Sequence, residues 1–247
     1  MLIFVLILAI LFELVDSSLG MMYGTLLSPT LILLGFDTKL VVPSIVISQA
    51  LGGAVATFRH SKYKSANFSG MTRDTKIVLA VVIPGLMAVF LGVFVAVRLP
   101  TNWLNLYIAL LVIAMGVLCI RPVYYKFAWW KMWMIGWLSA FNKALSGGGY
   151  GPVTSTGKVL GGLDAKTSVA TTTFAEVPIC LASFVLWYFM SGKLSWALPI
   201  MLCLGGGLGG FIGPYITYKF NSKWLKMAVG VLAIVCGVLV LALRMKV

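Results

Sequence analysis

Leu145-Ser146-Gly147-Gly148-Gly149-Tyr150-Gly151-Pro152 interrupts an otherwise continuous apolar run, and 127 positions earlier Ser18-Leu19-Gly20-Met21-Met22-Tyr23-Gly24 does the same. The two stretches superimpose without a gap. The register continues beyond them, with Gly35 falling on Gly162, Asp37 on Asp164 and Lys39 on Lys166. Later in each half a shift of 121 aligns Gly92 with Gly213, Trp103-Leu104 with Trp224-Leu225, and Gly116 with Gly237. The chain therefore reads as a duplication, residues 1–124 and 125–247. Each half holds four hydrophobic segments, the first of them broken by glycine. In a membrane chain, paired interruptions at corresponding places in two halves point to a transport site.

Composition says that the solvent is lipid. The 247 residues are 61% hydrophobic and only 10% charged, with a mean hydropathy of +1.03. A soluble domain carries about 25% charged residues. The length suits about eight spans of roughly 20 residues. We expect segments at Leu2–Leu34, Val41–Phe58, Ile77–Val97, Leu104–Ile120, Met132–Leu160, Thr167–Met190, Ala197–Phe220 and Leu225–Leu243. Long unbroken apolar runs predict helices, and the alternation of a membrane barrel is absent. The expected fold is an all-α polytopic membrane bundle. Met1-Leu2-Ile3 has no basic stretch before the apolar run, so the first segment reads as a retained span rather than a cleaved leader.

A net charge of +13 does not imply nucleic acid, because the basic residues are scattered among short loops. Positive-inside bias and attraction to anionic lipid explain them. If all eight segments cross, one face holds Arg59, Lys62, Lys64, Arg73, Lys76, Arg121, Lys126, Lys131, Lys193, Arg244 and Lys246. The other holds Lys39, Arg98, Lys158, Lys166, Lys219, Lys223 and Lys226. That weak imbalance would put both ends of the chain in the cytoplasm. If each broken segment is instead a re-entrant hairpin, parity changes and the halves are inverted relative to one another.

Glycine suits a turn at membrane depth, where the backbone must bend tightly and be shielded by close neighbours. Each turn starts a new half-helix, whose free N–H groups and positive dipole end favour an anion. Gly20, Tyr23, Gly24, Gly147, Gly148, Gly149, Tyr150 and Gly151 are thus the expected substrate-binding positions, with Thr171 adding a hydroxyl. Their alternative role is close helix packing, the role expected of Gly205–Gly213. That glycine face could equally serve a homodimer. No Gly-Lys-Ser/Thr follows the glycines, so a phosphate-binding loop is excluded.

Charges at membrane depth are costly and usually functional. Under the 127 shift Asp16 falls on Lys143, and Gln49 on Glu176. An Asp16–Lys143 ion pair across a pseudo-axis is expected, either as a structural clasp or as a counter-ion that yields Lys143 to a substrate anion. Glu176 is a candidate for proton coupling, or else bonds to Thr171–Thr173. Glu13 reads as interfacial. His60, the only histidine, reads as a headgroup-level loop residue that could also carry protons. Cys119, Cys180, Cys203 and Cys236 stand singly within spans, so neither zinc nor a disulfide framework is expected. Trp129, Trp130, Trp133 and Trp137 read as an interfacial belt. One histidine cannot build a multi-His centre, and HExxH and GxSxG are absent, which argues against an intramembrane enzyme.

Three stretches together resemble the sulfite exporter TauE/SafE family: Leu145–Pro152, the following Gly162-Leu163-Asp164-Ala165-Lys166-Thr167-Ser168-Val169-Ala170-Thr171-Thr172 with Glu176, and the first copy at Ser18–Gly24 with Gly35-Phe36. Arg59-His60 and Asn67 are similar to a loop of some members. The resemblance covers nearly the whole chain. It implies a multi-pass exporter of sulfite, sulfoacetate or related sulfur anions, driven by an ion gradient. The first copy departs from the pattern at Met21-Met22, so the halves need not contribute equally. The expected function is a secondary transporter in the cytoplasmic membrane that takes a small anionic substrate by alternating access, with the lipid bilayer as its partner and no cofactor. An anion channel and a membrane assembly factor are the alternatives.

Overall fold

The computed structural model describes residues 2–120, 126–191, 195–219, 231, 234–236 and 238–242. Its helices, in chain order, are α1 (Leu2–Leu19), α2 (Tyr23–Leu33), α3 (Thr38–Lys62), α4 (Arg73–Arg98), α5 (Thr101–Ile120), α6 (Trp129–Ser146), α7 (Tyr150–Leu160), α8 (Ala165–Ser191) and α9 (Ala197–Lys219). Of the last expected segment, Leu225–Leu243, the described residues are helical and the rest lie outside the description. Helices α1, α3, α4, α8 and α9, of 18, 25, 26, 27 and 23 residues, are long and apolar enough to cross a membrane. Large side chains such as Phe4, Ile7, Phe58, Met87, Phe90, Phe189 and Leu208 stay exposed on the outside of the bundle, where hydrocarbon rather than water is the fitting solvent. The α6 tryptophans Trp129, Trp130, Trp133 and Trp137 face outward with them.

Local sequence explains the short connections. Gly35 and Gly162 adopt φ +88° and +89° and close α2 and α7 in the same way. Phe36 N–H donates to Leu31 O and Gly35 N–H to Ile32 O; in the second half Leu163 donates to Lys158 O and Gly162 to Val159 O. This double bond after a left-handed glycine seals a helix end. Asp37 then accepts from Lys39 N–H at the start of α3, and Asp164 from Lys166 and Thr167 N–H at the start of α8. The repeated Gly-x-Asp is thus a helix stop followed by an N-cap.

Contacts between helices fix their directions. Ala9 meets Gly205, Glu13 meets Gly209 and Ser17 meets Gly213, so α1 and α9 run parallel. Val81 meets Gly136, Gly85 meets Ala140 and Gly92 meets Ala144, so α4 and α6 do the same. Ser48 and Gly52 of α3 meet Gly206 and Gly210 of α9, again parallel. Gly53 meets Thr173, and Thr167 Oγ1 bonds Ser65 O, so α3 and α8 are antiparallel. Lys39 Nζ reaches Val97 O, which makes α4 antiparallel to α3. Thus α1, α3 and α9 point one way, and α4, α6 and α8 the other. The first helix of each half packs on the third segment of the other, α1 on α9 and α6 on α4.

This arrangement decides between the eight-crossing and the re-entrant readings. Tyr23 bonds to Ser48, while Leu27 and Leu31 share a core with Val41 and Ile45, so α2 runs back along α3, antiparallel to α1. Each broken segment is a re-entrant hairpin, and α1 and α6 run in opposite directions. The basic residues then separate clearly. Among described residues, Arg59, Lys62, Lys64, Arg73, Lys76, Lys126, Lys131, Lys166 and Lys219 lie toward one face and only Lys39 and Arg98 toward the other. Cross-contacts hold that basic face together: Tyr63 stacks on Tyr218, Lys166 Nζ bonds Tyr218 O, and Arg73 lies over Phe127. Arg121, Lys193, Lys223, Lys226, Arg244 and Lys246 fall outside the described residues.

The glycine face of α9 is occupied internally. Gly205, Gly209 and Gly213 admit α1, and Gly206 and Gly210 admit α3, so this surface is covered within one chain.

Candidate anion site at the helix breaks

The two breaks lie back to back. Gly20 and Gly147 take φ +70° and +74°, and three chain positions on, Tyr23 and Tyr150 open α2 and α7. The residue before each tyrosine is left-handed, Met22 at φ 110° and Gly149 at 77°. Methionine pays a steric penalty there that glycine does not. A Cβ on Gly24 would land on the Gly147 carbonyl, and one on Gly151 on the backbone of Gly20 and Met21. One added to Gly148 would sit 2.9 Å from Gly24 backbone atoms. Close approach of two backbones is therefore one reason for glycine here, and the turn itself is the other.

Matched side chains close the freed carbonyls. Ser28 Oγ donates to Ser146 O at 2.9 Å, and its equivalent Ser155 to Leu19 O at 3.3 Å. Trp187 Nε1–H donates to Ala144 O at 2.8 Å. His60 occupies the equivalent position in the first half, with Nε2 3.0 Å from Ser17 O. His60 is thus not a headgroup-level loop residue: it is fully buried in the last turn of α3 and braces the end of α1. A carbonyl acceptor requires the proton on Nε2.

Buried charges meet beside the breaks. Asp16 accepts Tyr23 N–H at 2.8 Å through Oδ1 and the Gln49 amide at 2.9 Å through Oδ2. Lys143 Nζ donates to Gln49 Oε1 and pairs with Glu176 Oε1 at 2.9 Å. The four residues form one line, Asp16–Gln49–Lys143–Glu176, each at most 4% exposed. The expected direct Asp16–Lys143 pair is replaced by this relay. The Gln49 amide offers a donor to the acid and an acceptor to the base, and so fits between them. Lys143 instead finds its counter-ion in Glu176, which pairs rather than bonding to the Thr171–Thr173 cluster.

The two half-helix starts differ electrostatically. Asp16 already places a carboxylate on the first N–H of α2. At α7 the equivalent residue is Lys143, and the Gly149 N-cap makes no side-chain bond. Gly149 N–H is held by Thr25 Oγ1 at 3.0 Å. The start of α7 therefore offers a positive dipole end that no carboxylate caps, with an ammonium where the first half has an acid. Tyr23 is anchored by Ser48 at 2.7 Å, but Ala175 stands at the equivalent position of the second half, and Tyr150 Oη is buried with no partner beyond its approach to Thr154.

Of the expected site residues, Gly20, Tyr23, Gly24, Gly147, Gly148, Gly149, Tyr150 and Gly151 line the breaks, and Asp16, Lys143 and Glu176 form the charge line. Thr171 belongs elsewhere: its hydroxyl, with that of Thr172, receives Lys158 Nζ at 3.2 Å. Lys158 is completely buried, not a loop residue. Its spacing of four from Thr154 and eight from Tyr150 is the signal that places it on an inner helix face. Glu13 is also buried rather than interfacial, set against Gly52 and Gly209, with Oε2 unpartnered. Cys180 is buried, Cys203 and Cys236 are half-buried, and all three are free thiols.

Opposed broken helices that meet at buried charges, inside an apolar bundle, define a multi-pass membrane protein built as transporters are. The family model of the sulfite exporter TauE/SafE matches residues 5–240, and the chain belongs to that family of membrane transporters. It is also similar to the probable membrane transporter protein YtnM of Bacillus subtilis (strain 168), with 27% identity over 233 residues, covering 88% of this chain and 75% of that protein.

Proposed function

We propose that the protein exports a small sulfur oxyanion, sulfite or an organosulfonate, across the cytoplasmic membrane by alternating access. The observation that carries this reading is the asymmetry of the two breaks. Asp16 fills the start of α2, whereas in the second half its equivalent is Lys143 and no side chain caps the start of α7. A substrate oxyanion takes the place there that Asp16 takes in the first half. It draws on the α7 N–H groups, the Tyr150 hydroxyl and the Lys143 ammonium.

Glu176 is the resident competitor for Lys143. Protonation of Glu176 neutralises it and releases the ammonium to the substrate, so that proton and anion move together. The line through Gln49 lets Asp16 respond to the same change. The halves, joined at small residues along α1–α9 and α4–α6, rock about the breaks to expose the site to either face. Positive-inside bias makes the basic face the cytoplasmic one, with nine described basic residues against two.

The test is sulfite flux into proteoliposomes of purified protein, with and without an imposed pH gradient. Saturable, gradient-sensitive flux that drops at least tenfold in Lys143→Ala is the expected result. Wild-type flux in Lys143→Ala would remove this site. Flux with a different anion only would move the substrate while keeping the mechanism.

A further inference from the structure

The inner face of α7 has no counterpart in α2, although the two helices are equivalent. Under the 127 shift Leu27, Leu31, Val41 and Ile45 correspond to Thr154, Lys158, Ser168 and Thr172. In the first half these residues pack into one apolar core with Tyr23, Leu198 and Leu202. In the second half the same place in the fold holds an ammonium and hydroxyls. Lys158 Nζ is bonded to Thr171 and Thr172 hydroxyls, with no carboxylate in ion-pair range among the described residues. Ser168 Oγ is buried with no hydrogen-bond partner, and Tyr150 Oη and Thr154 Oγ1 have none beyond their approach to one another.

Buried polar groups are ordinarily satisfied, and a buried cation is ordinarily paired. A buried ammonium held only by hydroxyls, with further under-satisfied hydroxyls one and two turns back along its helix, is the signature of a site that waits for an anion. Its position in the chain gives it direction. Tyr150, Thr154 and Lys158 recur every four residues and so form a single stripe along α7. The stripe begins at the second helix break and ends one turn before the α7–α8 connection. That connection lies on the basic face, since Thr167 bonds Ser65 O and Lys166 bonds Tyr218 O.

We propose that this stripe is a half-channel from the basic face to the central site, in which Lys158, Thr171 and Thr172 form an outer subsite that captures the oxyanion before Lys143 receives it. The proposal rests on the anion-transport reading and adds to it a second site and a sidedness. The equivalent route in the first half is closed by leucine, valine and isoleucine, so the two faces of the protein see different affinities.

The experiment compares sulfite flux in inside-out and right-side-out membrane vesicles for wild type, Lys158→Met, Lys158→Arg and Thr154→Val. Lys158→Met is expected to raise half-saturation from the basic face at least tenfold more than from the opposite face. Lys158→Arg restores most of the affinity, and Thr154→Val, close in shape, raises basic-face half-saturation about threefold. An equal change on both faces, or none, overturns the outer subsite while leaving the central site standing. If Lys158→Met does not fold, Thr154→Val decides: half-saturation on the basic face equal to wild type, or raised equally on both faces, overturns the outer subsite. Absence of flux in the wild type in both vesicle types, with sulfite and with other small oxyanions alike, instead removes the transport reading and the subsite with it.

Discussion

Asp16 and Lys143 occupy equivalent positions one repeat apart, yet they are joined only through the side chain of Gln49. Opposite charges at equivalent positions break the symmetry of the bundle at its centre. Lys143 is left with Glu176 as its one ion-pair partner among the described residues.

Removing Lys143 is expected to cost stability as well as transport. Lys143→Met leaves Glu176 as a buried uncompensated charge, which typically costs about 3–5 kcal/mol. Adding Glu176→Gln should recover most of that loss, because neither partner then carries charge. Thermal unfolding in detergent should show the single variant well below wild type and the double variant near it. Transport should be absent in both. A single variant as stable as wild type would show that the pair is not a structural clasp.

Proton coupling through Glu176 has a separate signature. Glutamine keeps the shape of the side chain but has no proton to exchange. Glu176→Gln is therefore expected to move substrate down its own gradient with no response to an imposed pH gradient. Proteoliposome flux at matched and unmatched pH reads this directly. A variant that still responds to the gradient would assign coupling to another group.

Glycines of the two kinds should separate in mutagenesis. Gly162 has φ +89° and open space around it, so Gly162→Ala costs only backbone strain, about 1–2 kcal/mol. Gly24→Ala drives a methyl into the Gly147 carbonyl, and a backbone cannot step aside as a flexible side chain can. Its cost should exceed about 4 kcal/mol, enough to prevent accumulation of folded protein. Expression and gel-filtration profiles of the two variants test the contrast.

Re-entrant hairpins make the sidedness testable. Lys64 and Asp37 are exposed at opposite ends of α3. Lys64→Cys should react with a membrane-impermeant maleimide only from the cytoplasmic side, and Asp37→Cys only from outside, each measured against wild type as background. Lys166→Cys tests the hairpins themselves: it should label from the same side as Lys64→Cys, and labelling of the two from opposite sides would return the broken segments to single crossings.

Much of this was legible without coordinates. The duplication, the apolar segments and the paired glycine breaks follow from periodic identities that any fold of the chain must respect. Helix stops at Gly35 and Gly162 and caps at Asp37 and Asp164 are local chemistry, complete within a few residues. That Asp16, Lys143 and Glu176 are candidate site residues follows from the cost of charge in lipid, which holds whatever the neighbours are.

What the chain alone left open depends on where helices go after they break. A hairpin and a crossing have the same composition, so only the packing of α2 on α3 and of α7 on α8 distinguished them. That choice set the direction of every later helix and turned a weak charge imbalance into a strong one. Gln49 became the link between Asp16 and Lys143 because α3 passes between the two breaks, a relation spanning 94 residues between Gln49 and Lys143. Lys158 looked like a loop lysine because it lies near the end of a short helix. Its burial is decided by α8, whose Thr171 and Thr172 cover it, and no stretch of sequence records which neighbour a side chain will meet.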